Sequence, residues 1–123
     1  MINEKIPQVV VETTPYQKAV GKVWDEDTQR EFKNYIGINY ALGDLIPGTG
    51  GVRKIRWKAN GHGKRGGVRV IYYFYNERHP VYLLYAYPKN VQVDLTEAEK
   101  KLFRTAAEQL KAVFYAKDGG NHE

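Results

Sequence analysis

The chain has 123 residues, 42% of them hydrophobic and 27% charged, with ten tyrosines and no cysteine; this is enough for one core, too little for two, and too apolar for a disordered chain. Without cysteine, disulfides, thiolate metal sites and cysteine nucleophiles are excluded, and a reducing compartment, the cytoplasm, is expected. The net charge of +5 is uneven: residues 1–47 hold five basic groups against seven acidic and residues 94–123 five against six, whereas residues 48–93 hold nine against Glu77 alone.

In chain order, Gln8 to Glu12 (QVVVE) is a β-branched run that predicts a first strand. Thr14 as N-cap with Pro15 at the first helical position predicts a short helix stopping near Gly21. A second helix is expected at about 26–37, from Phe32, Tyr35 and Ile36 at helical spacing behind acids in the first turn. Residues 43–51 (GDLIPGTGG) are turn chemistry. Three strand-like runs come next, Arg53 to Lys58, Gly67 to Tyr75 and Val81 to Tyr87, joined by the loops Ala59 to Gly66 and Asn76 to Pro80. Thr96 and Glu99 form a capping box ahead of Leu102, Phe103, Ala106, Ala107, Leu110 and Phe114, an amphipathic final helix. The order β-α-α-β-β-β-α predicts an α+β fold with a mostly antiparallel sheet and its helices on one face. Residues 1–117 are expected to form a single domain and 118–123 a frayed, disordered tail. The start of the chain shows no basic flank before an apolar stretch, and no apolar run approaches the roughly 20 residues of a bilayer span, so neither a secretion signal nor a membrane partner is expected.

The basic middle segment points to a polyanion, and its interleaved aromatics (Trp57, Tyr72, Tyr73, Tyr75, Tyr82, Tyr85, Tyr87) suit stacking against single-stranded nucleic acid. Strand alternation sorts the cations: Arg53, Ile55 and Trp57 share one face, and Lys54, Arg56 and Lys58 the other. On the next strand Val68, Val70, Tyr72 and Phe74 form the face to be covered by helices, leaving Arg69, Ile71, Tyr73 and Tyr75 opposite. If the uncovered faces coincide, Lys54, Arg56 and Arg69 converge beside an aromatic.

Gly61 to Gly66 (GHGKRG) matches a dinucleotide-binding glycine pattern literally, but it joins two strands instead of opening a helix, so it reads as a basic hairpin loop facing phosphate backbone or as a solvated turn. His62, His79 and His122 lack metal-ligand spacing, and the meander has one carboxylate, so a two-metal nuclease is not expected and no cofactor is implied.

IPGTGGVRKIRW at 46–57, GKRGGVRVIYY at 63–73, Tyr82-Leu83-Leu84, Lys89-Asn90 and Asp94-Leu95 together resemble the RelE-type toxins of bacterial toxin–antitoxin systems, in particular the HigB branch, over about Gln8 to Phe114. The resemblance implies a small, metal-independent endoribonuclease that cleaves mRNA in the ribosomal A site. It also implies a cognate HigA-like helix-turn-helix antitoxin, and operator DNA contacted only through the antitoxin complex. It assigns catalytic roles to Lys54, Arg56 and Arg69, with Lys89 as the basic residue after the last strand; Tyr73 is a further catalytic candidate on chemical grounds. Arg53, Lys58, Lys64, Arg65, Tyr87 and Asn90 are expected to bind RNA or the ribosome. Arg69 suits the stabilisation of charge on phosphate, and either Lys54 or Tyr73 would handle protons if crowded cations lower its pKa. The tyrosine that some relatives carry near the start of the final helix has no counterpart, Asp94 and Leu95 standing there instead, which leaves the general base open; Asn39-Tyr40 replaces a frequent Asn-Pro. Two other functions fit the same features: a ParE-like gyrase poison with this fold, and a non-catalytic RNA-binding module.

Overall fold

The computed structural model describes residues 6–59 and 67–120. β1 (Val10–Glu12) leads through Thr13 into α1 (Thr14–Val20). Thr13, not Thr14, is the cap: its hydroxyl accepts from the Tyr16 N–H and donates to the Leu83 carbonyl at 2.8 Å, tying the helix start to the sheet. Asp25 caps α2 (Glu26–Ile38) by accepting from the Thr28 N–H at 2.8 Å. The glycine-rich turn region contains a two-residue strand, β2 (Asp44–Leu45), and is succeeded by β3 (Val52–Trp57), β4 (Val68–Tyr73), β5 (Val81–Pro88) and α3 (Glu97–Lys117). The expected capping box of Thr96 and Glu99 opens α3.

The five strands are ordered β1-β5-β4-β3-β2, with β1 parallel to β5 and the other pairings antiparallel. β4 is central, and five of its six residues are buried. Val68, Val70 and Tyr72 join Tyr16, Val20, Phe32 and Ile36 of α1 and α2 in one core. Ile71 and Tyr73 point the other way and join Phe103, Ala107 and Phe114 of α3 in a second. The helices therefore cover both faces of the sheet, α1 and α2 on one and α3 on the other, which corrects the expected single helical face. A strand apolar on both sides needs a cover on both sides.

Two local devices set the geometry of the β3–β4–β5 meander. Between Ile71–Tyr85 and Tyr72–Leu83 the β4–β5 register shifts, so Leu84 is an extra residue in β5. The β3–β4 hairpin closes at Gly67, whose φ is +57° and whose added Cβ would sit 2.4 Å from the Trp57 carbonyl oxygen, so glycine alone fits. The loop residues 60–66, His122 and tail residues 121–123 lie outside the described residues. Asp118, expected in the frayed tail, instead caps α3 and binds Asn76 at 3.0 Å, Arg78 at 3.2 Å and His79 at 2.8 Å. His79 stacks on Phe114, with ring centroids 4.3 Å apart.

Candidate active site

Residues directly paired in an antiparallel ladder project from the same face, with Cβ atoms about 4.5–5.5 Å apart. Arg56 pairs with Arg69, and Arg69 with Tyr87, so these three form one row across β3, β4 and β5. The next row runs Asp44, Lys54, Ile71, Tyr85. The Leu84 bulge is what places Tyr87 beside Arg69; in an unbroken register Ala86 would stand there. α3 covers part of this face, Phe103 stacking on Tyr85 and Phe114 lying against Tyr82. The cations come to the surface beyond it, in a pocket lined by Leu42, Asp44, Lys54, Arg56 and Arg69 among others.

Within the pocket, Arg56 is exposed and Arg69 half-buried. Arg69 Nη1 is buried without a hydrogen-bond partner among the described residues, although a guanidinium is made to donate. Two arginines are thus held side by side, one exposed and one with a donor that no described residue engages. Lys54 Nζ lies 3.5 Å from Asp94 Oδ1. Tyr87 is buried, and burial pushes its phenol pKa up, with Asp94 adding to the rise and Arg69 opposing it.

The other expected site residues fall in different places. Lys89 lies just past the Arg56–Arg69–Tyr87 row, its N–H donating to the Gly67 carbonyl at 3.1 Å, and Asn90 is exposed in the turn after it. Tyr73 is on the cation face but four residues along β4 from Arg69, about 13 Å of strand. It is buried, and burial raises its pKa, with Tyr75 adding to the rise; the expected lowering by crowded cations does not occur. Arg53 projects from the opposite face, where Nη1 donates to the Gly43 carbonyl at 2.7 Å and the Ala41 carbonyl at 3.2 Å; it braces the β2 edge. Lys58 lies past the end of β3 and turns to Glu31 of α2 at 3.1 Å. Lys64 and Arg65 lie outside the described residues. Asp94, by contrast, joins the site without having been expected there. It stands forty residues after Lys54 in a loop, and the one signal available was its place at the position where some relatives carry tyrosine.

Among the described residues no three His, Cys, Asp or Glu side chains group to hold a metal ion, and no helix is long and apolar enough to cross a membrane. The arrangement is that of a small α+β protein with Lys54, Arg56 and Arg69 gathered on one sheet face.

A family model described as the RelE toxin of the RelE / RelB toxin-antitoxin system matches residues 40–117. The chain belongs to the RelE toxin family, whose toxins pair with an antitoxin. The structure is also similar to that of an E. coli RelE toxin mutant in the free state, with a TM-score of 0.50 and 12% identity over 72% of this chain and 90% of that one, a likeness of fold.

Proposed function

We propose that this chain is the toxin of a type II toxin–antitoxin module and an endoribonuclease that cleaves mRNA in the ribosomal A site, arresting translation. The observation that carries the reading is the Arg56–Arg69 pair with Lys54 one row away, on the face that α3 leaves open. In metal-independent cleavage the RNA 2′-hydroxyl attacks the adjacent phosphorus and the 5′-oxygen leaves. Arg69, gripping two phosphate oxygens, would hold the charge that develops, and Arg56 would orient the same phosphate. Lys54 would meet the leaving oxygen, Lys89 would extend the basic track past the row, and the buried Tyr87, paired with Arg69, would support that arginine from behind the surface. Few groups on this face exchange protons, which is consistent with chemistry that relies on a ribosome to set the in-line geometry.

The reading carries residues 1–117 as one toxin domain, a HigA-like helix-turn-helix antitoxin as partner, contact with operator DNA through that partner, and a cytoplasmic site of action. Mapping of 5′ ends on one defined mRNA, free and on programmed ribosomes, tests it. Cuts on the ribosome alone support the reading; cuts in neither sample contradict it and favour gyrase poisoning or passive RNA binding.

A further inference from the structure

Attack by a 2′-hydroxyl requires a group that takes its proton, and the cations of this face are donors only: neither guanidinium nor ammonium offers an acceptor. Tyr73 lies rows away, and Tyr87 is a buried phenol. Two carboxylates stand beside Lys54: Asp44, its ladder partner on the β2 edge, and Asp94, whose Oδ1 lies 3.5 Å from Lys54 Nζ, whose charge reaches Tyr87 in the arginine row and whose side chain, 67% exposed, can meet a ligand. The Asp94 backbone is braced from both sides. Gln92 Nε2 donates to the Asp94 carbonyl at 3.0 Å and to Glu99 Oε1 at 2.7 Å. On the other side Leu95 is buried in the α3 core, and Thr96 opens the helix through its capping box with Glu99. An exposed carboxylate on a fixed backbone is what a proton acceptor needs. In a face that otherwise attracts phosphate, its charge works against binding.

We propose that Asp94 is the general base of the cleavage reaction and Lys54 the acid that completes its proton cycle, an assignment that rests on the RNA-cleaving function proposed for this face. Asp94 takes the proton of the 2′-hydroxyl while the O2′–P bond forms. The P–O5′ bond breaks, and the leaving oxygen takes a proton from the Lys54 ammonium. The products are a 2′,3′-cyclic phosphate and a 5′-hydroxyl; no water and no electrons are consumed. Transfer of the proton from Asp94 to Lys54, which stand 3.5 Å apart, restores the carboxylate and the ammonium.

The charged and titratable groups of this corner are Lys54 from β3, paired with Asp44 of β2 and 3.5 Å from Asp94, and Tyr87 from β5, whose phenol feels Asp94, Arg69 of β4, Glu99 of α3 and Tyr85. Glu99 is engaged by Gln92 and the helix cap, and Asp44 stands on the other side of Lys54, so Glu99→Gln and Asp44→Asn serve as controls for the acid limb of the rate profile, and loss of that limb in Asp44→Asn overturns the assignment to Asp94.

The test is single-turnover cleavage of mRNA on programmed ribosomes by the wild type, Asp94→Asn and Asp94→Glu between pH 5 and 8. Binding is measured in parallel on ribosomes carrying 2′-O-methyl mRNA, which cannot be cut. Asp94→Asn is expected to cut about a hundredfold more slowly or worse and to lose the acid limb that Glu99→Gln keeps. It should bind the uncleavable mRNA at least as tightly as the wild type with an unchanged melting temperature, and Asp94→Glu should recover part of the rate. Cutting within threefold of the wild type with the same acid limb overturns the assignment and leaves the RNA-cleaving reading standing. So does a rate loss matched by lost binding or lower stability, which would assign Asp94 to holding Lys54 or the fold. A wild type that cuts no ribosome-bound mRNA overturns the reading and the assignment together.

Discussion

Arg56 and Arg69 stand directly opposite each other across β3 and β4 on the sheet face that carries Lys54. Like charges so placed destabilise a ladder, and the buried Nη1 of Arg69 has no partner among the described residues. On these grounds the pair weakens the free fold, and an anion lying across it would offset the repulsion. Replacing Arg69 by Met, an apolar chain of similar reach, should therefore raise unfolding free energy by about 1 kcal/mol while abolishing cleavage. Urea midpoints at unchanged slope measure the first effect; a destabilised Arg69→Met protein would contradict it.

Tyr73 is the sequence-level candidate that its surroundings remove from the chemistry. Its phenol is buried near Tyr75 and Gly51, with its pKa pushed up by that burial. Loss of a general acid or base costs about a hundredfold or more. Tyr73→Phe is expected to cleave ribosome-bound mRNA within about threefold of the wild-type rate, and a loss of a hundredfold would return the residue to the mechanism.

The edge of the site depends on Tyr72, which is fully buried on the α1 and α2 face. Its hydroxyl accepts from the Gly43 N–H and donates to the Tyr40 carbonyl, both at 2.9 Å, fixing the chain just ahead of β2. Tyr72→Phe should cost about 1–3 kcal/mol by leaving that buried backbone donor and acceptor unpaired. Gly43→Ala should also destabilise, because its Cβ would stand 2.5 Å from the same hydroxyl. Chemical denaturation of both variants checks this.

Asp118 ties the end of α3 to the turn between β4 and β5. Hydrogen bonds from Arg78 and Asn76, and then His79, hold its carboxyl well below the usual carboxylate range. A carboxyl depressed by folding contributes stability that is complete above its unfolded pKa of about 3.9 and is lost as pH falls toward the folded value. The melting temperature of the wild type should therefore fall more steeply below pH 4 than that of Asp118→Asn, with the difference between them greatest at neutral pH. Parallel curves from pH 2.5 to 7 would contradict it.

Most of the fold was legible because its signals are local. The capping box at Thr96 and Glu99 and the alternation in β3 and β4 each act within a few residues, and alternation alone separates Arg53 from Lys54 and Arg56. The second helical face was implicit in Val68 to Tyr73, where Arg69 is the sole charge in an otherwise apolar run that no single cover could bury. β2 escaped because two residues inside a glycine-rich turn carry no period, and Arg53 bonds made across ten and twelve residues hold that edge in place. Tyr87 reaches Arg69 only through the extra residue at Leu84, and Asp94 reaches Lys54 only through tertiary packing of the β5–α3 loop. Nothing in the local sequence around either residue marks these meetings.

The most direct test of the central claim, that this cation face performs chemistry on RNA, compares Arg69→Ala with the wild type on ribosomes programmed with one defined mRNA. Single-turnover cleavage and ribosome co-sedimentation are measured on the same samples. The account predicts a cleavage rate lowered at least about a hundredfold with ribosome association largely retained, since Arg69 would act on the phosphate in the transition state. Cleavage at the wild-type rate, or a loss of cleavage fully matched by lost association, would contradict it.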